Sequence, residues 1–239
     1  MRKEFDGVVI EKQQVICDAV SCHNLNIKGV GEFRSEVEAD FIDVAGEACF
    51  ESYVTCDKFT VKNRCVCKSS LLTISIRIIG ALAVYGKINS ETIIVNGALK
   101  FRDTLNTTAM LIREGSLAKG SAKLRTSQCT VNGVLNNSGV VVTENFKISS
   151  NQMSRIQEIR TDRFVVQLNE KAKNDKLEDE YLLACDFVDC FDADIEYCNI
   201  DRLYCDSAII RKGCTIHEIL YRDNIEIEQG AHVERLSRT

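Results

Sequence analysis

Proline is absent from these 239 residues, and so is tryptophan. Without proline no residue forfeits its backbone donor, so the chain can run through central strands of a ladder without a forced break. Proline-rich disordered tails are excluded by the same absence. Aromatic residues make up only 7% of the chain, which suits a core too thin for large rings. No sign of charge dominates: 30 Lys and Arg stand against 35 Asp and Glu, interspersed, so no basic footprint for nucleic acid is present. Long apolar runs are missing too. The most apolar stretch, LLTISIRIIGALAVYG from Leu71, alternates and carries Arg77 in its middle, which excludes a membrane span. The opening MRKEFDGVVIEKQQ is too polar for a signal peptide, so a cytoplasmic location is expected. A phosphate loop of the GxxxxGK[ST] type is lacking, which argues against nucleotide-driven assembly.

What the chain has is a repeat. Blocks of seventeen residues follow one another as VGEFRSEVEADFIDVAG from Val30, EACFESYVTCDKFTVKN from Glu47, RCVCKSSLLTISIRIIG from Arg64 and ALAVYGKINSETIIVNG from Ala81. The period lengthens by one residue in the blocks that begin at Ala98 and Ser116 and returns to seventeen at Val134. A unit this short cannot be a domain; it is one rung of a solenoid.

Stacking the blocks sorts the columns by chemistry. One holds Val37, Val54, Leu71, Ile88 and Leu105, a second Ile42, Phe59, Ile76, Ile93 and Met110, a third Val44, Val61, Ile78, Val95 and Ile112. Phe33, Phe50, Cys67, Val84 and Phe101 make a fourth. Around them apolar and polar residues alternate with period two, the mark of strands with one buried face. Between the apolar columns runs one of small residues, Ala39, Cys56, Thr73, Ser90 and Thr107, where a larger side chain would crowd a bend. Gly29, Gly46, Gly80, Gly97, Gly115 and Gly133 close the rungs, with Asn63 standing in once, as positions tolerating positive φ would require. The pattern predicts two or three short strands per rung, stacked in parallel at about 4.8 Å. The expected fold is an all-β parallel β-helix.

The register breaks after Asn151, where SRIQEIRTDRFVVQL reads as one or two closing strands. The charged run NEKAKNDKLEDE, Asn169 to Glu180, reads as a solvated linker or short helix. Beyond it LYCDSAIIRKGCTIHEI from Leu203 aligns with LYRDNIEIEQGAHVERL from Leu220, with Gly213 and Gly230 at one turn position and a looser copy beginning at Leu183. The domain expectation is a main β-helix of about eight rungs over 1–150, closing strands and linker over 151–182, and a smaller β-helical segment over 183–239.

Chemistry-bearing residues are present but not in catalytic constellations. Twelve cysteines include Cys49, Cys56, Cys67 and Cys129 in or beside ladder columns, where a thiol acts as a small apolar filler. Cys65 and Cys67 are expected to point partly to opposite faces. Cys17 with Cys22, and Cys185 with Cys190, lack zinc-type spacing, so reduced structural thiols and no metal are expected. Asp40, Asp43, Asp57, Asp186, Asp189, Asp192 and Asp194 would spread along the outside of rungs rather than converge on calcium. Of the histidines, His217 is read as a surface pair with Glu218, and neither His23 nor His232 has an acid and glycines around it. No catalytic residue and no cofactor is assigned.

Two segments resemble a known family. The junction GVLNNSGVVVTENFKISSNQMSRIQEIRTDRFVVQ, Gly133 to Gln167, and the tail AIIRKGCTIHEILYRDNIEIEQGAHVERL are similar to the bactofilins, bacterial polymer-forming cytoskeletal proteins, in the form that carries a second small β-helical segment. The resemblance implies a right-handed β-helix and nucleotide-independent filaments that serve as scaffolds for cell shape, envelope or motility machinery. Partners implied are further copies of the chain, a paralogous bactofilin, or an envelope or motility protein. Many bactofilins carry proline-rich tails and an apolar N-terminal targeting segment; this chain has no proline and begins MRKEFDG. Docking at a membrane would then run through a partner.

Physical reasoning gives the same expectation. An uncapped terminal rung exposes unpaired backbone donors and acceptors, a template for another chain, and head-to-tail contacts that do not close propagate. The candidate surfaces are Val8, Val9, Ile10, Val15 and Ile16 at one end and Ile225, Ile227, Val233 and Leu236 at the other. Should the insertion fold the tail elsewhere, the second end would lie near Phe146 and Ile148. The alternative reading is a hexapeptide-type left-handed β-helix acyltransferase with a His general base. Its coil is eighteen residues in strict sixes, and neither the uneven apolar spacing nor the prevailing period of seventeen divides by six.

Overall fold

The computed structural model describes residues 3–169 and 180–239, with side chains from Asp6 onward in the first strand. Between its two ends the charged run Asn169 to Glu180 lies outside the described residues. Among the described residues twenty-one strands are present: β1 (Lys3–Ile10), β2 (Gln14–Ile16), β3 (Val20–Ile27), β4 (Val30–Phe33), β5 (Val37–Val44), β6 (Glu47–Phe50) and β7 (Val54–Val61). Next come β8 (Arg64–Cys67), β9 (Leu71–Ile78), β10 (Ala81–Val84), β11 (Ile88–Val95), β12 (Ala98–Phe101), β13 (Leu105–Ile112) and β14 (Leu117–Gly120). The last are β15 (Leu124–Val131), β16 (Val134–Ser150), β17 (Ser154–Leu168), β18 (Leu183–Ile195), β19 (Cys198–Ile210), β20 (Thr215–Ile227) and β21 (His232–Arg238). Among the described residues the chain is all-β, a parallel β-solenoid of about 13 turns. It divides into two compact units, one running to Met110 with Ala118–Ala122, the other Leu111–Leu117 with Lys123–Thr239.

In the first unit a turn is an eight-residue strand, a two-residue corner, a four-residue strand and a three-residue corner. Period two explains the burial along β5: Val37 and Ala39 point inward, then the alternation skips at Asp40 and Phe41, and Ile42 and Val44 point inward again. The skip bends the strand into two arms, and the four-residue strand is the third. Parallel pairing sets Val37, Val54, Leu71 and Ile88 one above another, as it does Ile42, Phe59, Ile76 and Ile93. Val44, Val61, Ile78 and Val95 stack likewise, as do Phe33, Phe50, Cys67, Val84 and Phe101. All are buried, together with Leu105, Met110 and Ile112. Each large side chain so enclosed contributes roughly 1.5–3 kcal/mol. The rings of Phe33 and Phe50 lie 4.8 Å apart and 17° from parallel, one rung of stacking.

The small column fills the bend, and its hydroxyls have a second task. Thr73 Oγ1 lies 3.0 Å from Asp57 O of the turn below and 3.2 Å from Ser75 O of its own. Ser90 stands between Ile74 O and Thr92 O, and Thr107 between Glu91 O and Ala109 O, in the same way. A bend takes carbonyls out of the ladder, and an unsatisfied carbonyl beside a core is costly; one shared O–H per turn offsets that.

The corner glycines are there mostly for a different reason than positive φ. Gly115, Gly213 and Gly230 have it, at 72°, 73° and 94°, but Gly29, Gly46, Gly80, Gly97 and Gly133 do not. Those five lack room instead: a Cβ on Gly46 would run into the backbone oxygens of Gly29 and Lys28 on the turn below. Asn63 tests this. Its amide reaches Val44 O at 3.4 Å, where Gly29 and Gly46 reach their acceptors at 2.9 and 2.8 Å, and Arg64 N–H reaches Gly46 O at 3.3 Å, where Glu47 reaches Gly29 O at 2.9 Å. Glycine corners span the same range, Gly133 N–H reaching Ile112 O at 3.3 Å, so the corner accepts Asn63 without a distinct opening. Cys65 and Cys67, expected to diverge, are both fully buried, because residues two apart in a strand share a face.

In the second unit β16 stacks on β17 through Val141 on Ile159, Phe146 on Phe164 and Ile148 on Val166, with a bulge between Asn137 and Val140. Phe146 and Ile148 are therefore interior, not an end. SRIQEIRTDRFVVQL forms the single strand β17, and β18 stacks directly on it, Ser154 opposite Leu183 and Phe164 opposite Ala193. The turns on either side of the charged run thus lie in register, and the tail continues the stack of β16 and β17. Spacing then changes. Val188 pairs with Leu203, fifteen residues on, so the looser copy begins at Val188 rather than Leu183. Leu203 pairs with Ile219 rather than Leu220, and a bulge after Cys205 restores seventeen, with Ala208 opposite Ile225 and Gly213 N–H donating to Gly230 O. An unbulged alignment could not show a slip that one extra residue repairs. Thr143 and Thr161 bridge carbonyls at the bend here as Thr73 does in the first unit.

Candidate functional site

The terminal turns are where ladders stop. In the second unit β21 covers β20 from Thr215 to Tyr221, and nothing described covers Asn224 to Ile227 or β21 itself. Ile225, Ile227, Val233 and Leu236 all fall in inward columns, stacked on Ala208, Ile210, Ile216 and Ile219. Yet Ile227 is 40% and Leu236 45% exposed, where Ile210 and Ile219 one turn below are 0%. The inward columns end as open apolar tips beside unpaired backbone groups.

The first unit ends differently. Val8 stacks on Leu25, Ile10 on Ile27 and Ile16 on Phe33, so these three are inward, Val8 and Ile16 half-buried. Ile10 is only 1% exposed and already enclosed by its own turn. Val9 and Val15 stand in outward columns above Asn26 and Glu32 and are exposed on the side. The sequence placed all five at the end without separating these orientations, although the period-two pattern of β3 and β4 carries the distinction.

Polar chemistry runs along the outside, turn to turn. Lys62 Nζ sits 2.6 Å from Asp43, and Lys68 Nζ 2.6 Å from Glu51. Arg211 holds Asp194 through two nitrogens, at 2.6 and 3.1 Å, and Glu228 at 2.8 Å, one charge ladder over three turns. These are half-exposed pairs, each contributing roughly 1 kcal/mol or less. His217 Nδ1 lies 2.6 Å from Glu234, and Arg235 reaches Nε2, so its partners come from the turn above rather than from Glu218. His23 pairs with Asp40 in the same cross-turn manner. Among the described residues no three His, Cys, Asp or Glu side chains converge as metal ligands, and no helix is long and apolar enough to cross a membrane. A shallow groove of about 670 Å³ in the second unit runs beside Arg163, Asp192, Asp194, Asn224 and Glu226.

Cysteines are the other recurrent reactive group. Burial pushes the Cys56, Cys129, Cys185 and Cys205 thiols up to about 12, protonated and inert at neutral pH. Cys17 alone is exposed. Cys214 departs from the rest: hydrogen bonding from Cys198 holds it below the ordinary thiol range against the effect of burial. Nothing in the sequence marks this pair, because sixteen residues separate them across the bulged turn. Comparison with models of protein families, with curated proteins and with solved structures returned no match.

Proposed function

We propose that the chain is a nonenzymatic scaffold of the bactofilin kind, right-handed as in that family, which assembles end to end without nucleotide. The observation that carries this reading is the jump in exposure from 0% at Ile210 and Ile219 to 40% and 45% at Ile227 and Leu236 in the same columns. A second copy stacked through β1 and β2 would cover those columns and extend the ladder.

Magnitudes say which part of the contact matters. Enclosing the exposed fractions of Ile227 and Leu236 contributes about 1 kcal/mol each. Association costs about 4–15 kcal/mol, so apolar tips alone do not hold two copies together. The backbone edge adds roughly 0.5–1.5 kcal/mol for each hydrogen bond formed. A full turn of ladder has to form in register, and assembly on these terms is specific for a rung of matching period, this chain or a paralogue of it. Scaffolding of cell shape, envelope or motility machinery is the role that fits such a polymer, with envelope or motility proteins as further partners.

The test is negative-stain electron microscopy with sedimentation velocity on reduced chain free of nucleotide and metal, beside Ile227→Arg and Leu236→Arg. Filaments that disappear in both variants support the reading; both positions are exposed in the single chain, so the variants keep their fold. Monodisperse wild type, or filaments that survive in both variants, would sink it.

A further inference from the structure

Cys198 opens β19, and Cys214 immediately precedes β20. Asn199 pairs with Thr215 in the parallel ladder, so the two cysteines that precede them lie on adjacent turns, about 4.8 Å apart along the stack. Both are buried. Cys198 Sγ lies 3.4 Å from Glu196 O and Cys214 Sγ 3.5 Å from Ile195 O, two consecutive carbonyls of one corner. Both thiols thus donate into the same corner. A Cα separation of that size falls within the range a disulfide spans.

We propose that Cys198 and Cys214 form a dithiol oxidation site that a two-electron peroxide converts to a cross-turn disulfide. Two other cysteine pairs show why this one is chosen. Cys65 and Cys67 lie within a single turn whose strand is paired on both sides, with β6 and β10. Cys190 and Cys205 lie on adjacent turns too, but their thiols do not converge on one corner as those of Cys198 and Cys214 do, and burial holds both protonated. Cys214 is covered by one strand only: His232 N–H donates to Cys214 O at 2.8 Å, and every residue of β21 is at least partly exposed. Opening of this exposed strand gives a small oxidant access to the Cys214 sulfur.

The chemistry balances. The Cys214 thiolate attacks one peroxide oxygen, so that an S–O bond forms as O–O breaks, and hydroxide leaves to take up the thiol proton as water. Cys198 sulfur then attacks the Cys214 sulfenic acid, S–S forms as S–O breaks, and the Cys198 proton leaves with the second hydroxide as water. Two thiols are oxidised and one peroxide reduced to two waters. The site stands independently of whether the chain assembles.

Reduced full-length chain is exposed to hydrogen peroxide, quenched with catalase, denatured with N-ethylmaleimide and mapped by mass spectrometry without reduction. The expected result is a Cys198–Cys214 linked peptide, lighter by two hydrogens than its reduced parts, that accumulates before any other pairing and is lost with dithiothreitol. In Cys198→Ser, dimedone should trap Cys214 as a sulfenic acid ahead of the buried Cys129. Wild-type mapping decides the matter even if that variant folds poorly. Alkylation of both Cys198 and Cys214 while Cys17 forms intermolecular disulfides would overturn the proposal, as would a stable Cys214 sulfinic acid without the link.

Discussion

Raising the pH from 8 to 10.5 should destabilise this protein through its thiols. Burial lifts Cys56, Cys129 and Cys185 from 9.0 to about 12. The folded state therefore holds those protons more tightly than the unfolded chain does. Stability that depends on them is fully present below pH 9 and is lost as pH rises towards 12, where the unfolded chain has released protons that the folded one retains. Each such thiol removes about 1.4 kcal/mol per pH unit in that window. The second unit contains Cys129 and Cys185 and also Cys205, raised in the same way, and the first unit contains Cys56. By pH 10.5 the loss in the second unit is about 4–6 kcal/mol, a large share of a typical domain stability of 5–15 kcal/mol. With no tryptophan, and tyrosines that titrate near pH 10 themselves, the assay is urea unfolding followed by far-ultraviolet circular dichroism in a non-thiol reductant. Cys129→Val, placed beside Phe146, should lower the pH slope of the second unit by about 1.4 kcal/mol per pH unit. A midpoint that stays flat to pH 10.5, or an unchanged slope in the variant, would refute the reasoning.

Gly46→Ala should destabilise the first unit by about 1–3 kcal/mol in chemical denaturation, because the new Cβ meets backbone and not a movable side chain; Asn63→Ala, at a corner that already holds a Cβ, should cost less than about 0.5 kcal/mol. Asn137 is buried opposite Ile156 and neither its amide nitrogen nor its oxygen has a partner. Asn137→Leu, near in volume, should raise the denaturation midpoint by about 1–2 kcal/mol of stability, as removing an unsatisfied polar group does. Gly213→Ala should lower thermal stability by at least about 1 kcal/mol, since φ is 73° and the added carbon meets the Tyr197 ring; Tyr197, itself at φ 51°, should tolerate glycine far better.

The period was legible because every rung repeats the same inward positions. Val37, Val54, Leu71 and Ile88 occupy one column for the physical reason that places them at seventeen-residue spacing, so the stack follows from arithmetic. Where the arithmetic changes, the residues do not announce it. Leu203 resembles Leu220 in type, but a bulged residue after Cys205 moves its partner to Ile219. Glycine was read with the wrong cause at five corners: φ and close approach demand the same residue, and only the neighbouring turn distinguishes them. Of the terminal surfaces, Ile227 and Leu236 were found because they continue apolar columns. Val9 and Val15 were grouped with Ile10 because an apolar residue at the end of a repeat looks the same whether it faces in or out.

Pairing at a nearly constant distance along the chain also governs how such a fold is reached. Most ladder partners in the first unit lie seventeen residues apart, as Val37 and Val54 do. In a chain of 239 residues that gives a relative contact order of roughly 0.07, the range of helical bundles and well below that of β-sandwiches. No strand waits for a distant partner. Any two adjacent rungs can nucleate, and growth then proceeds one loop closure at a time. An all-β chain built this way should fold fast, and its slowest step should be at Leu168 to Leu183, where partners such as Ser154 and Leu183 lie twenty-nine residues apart.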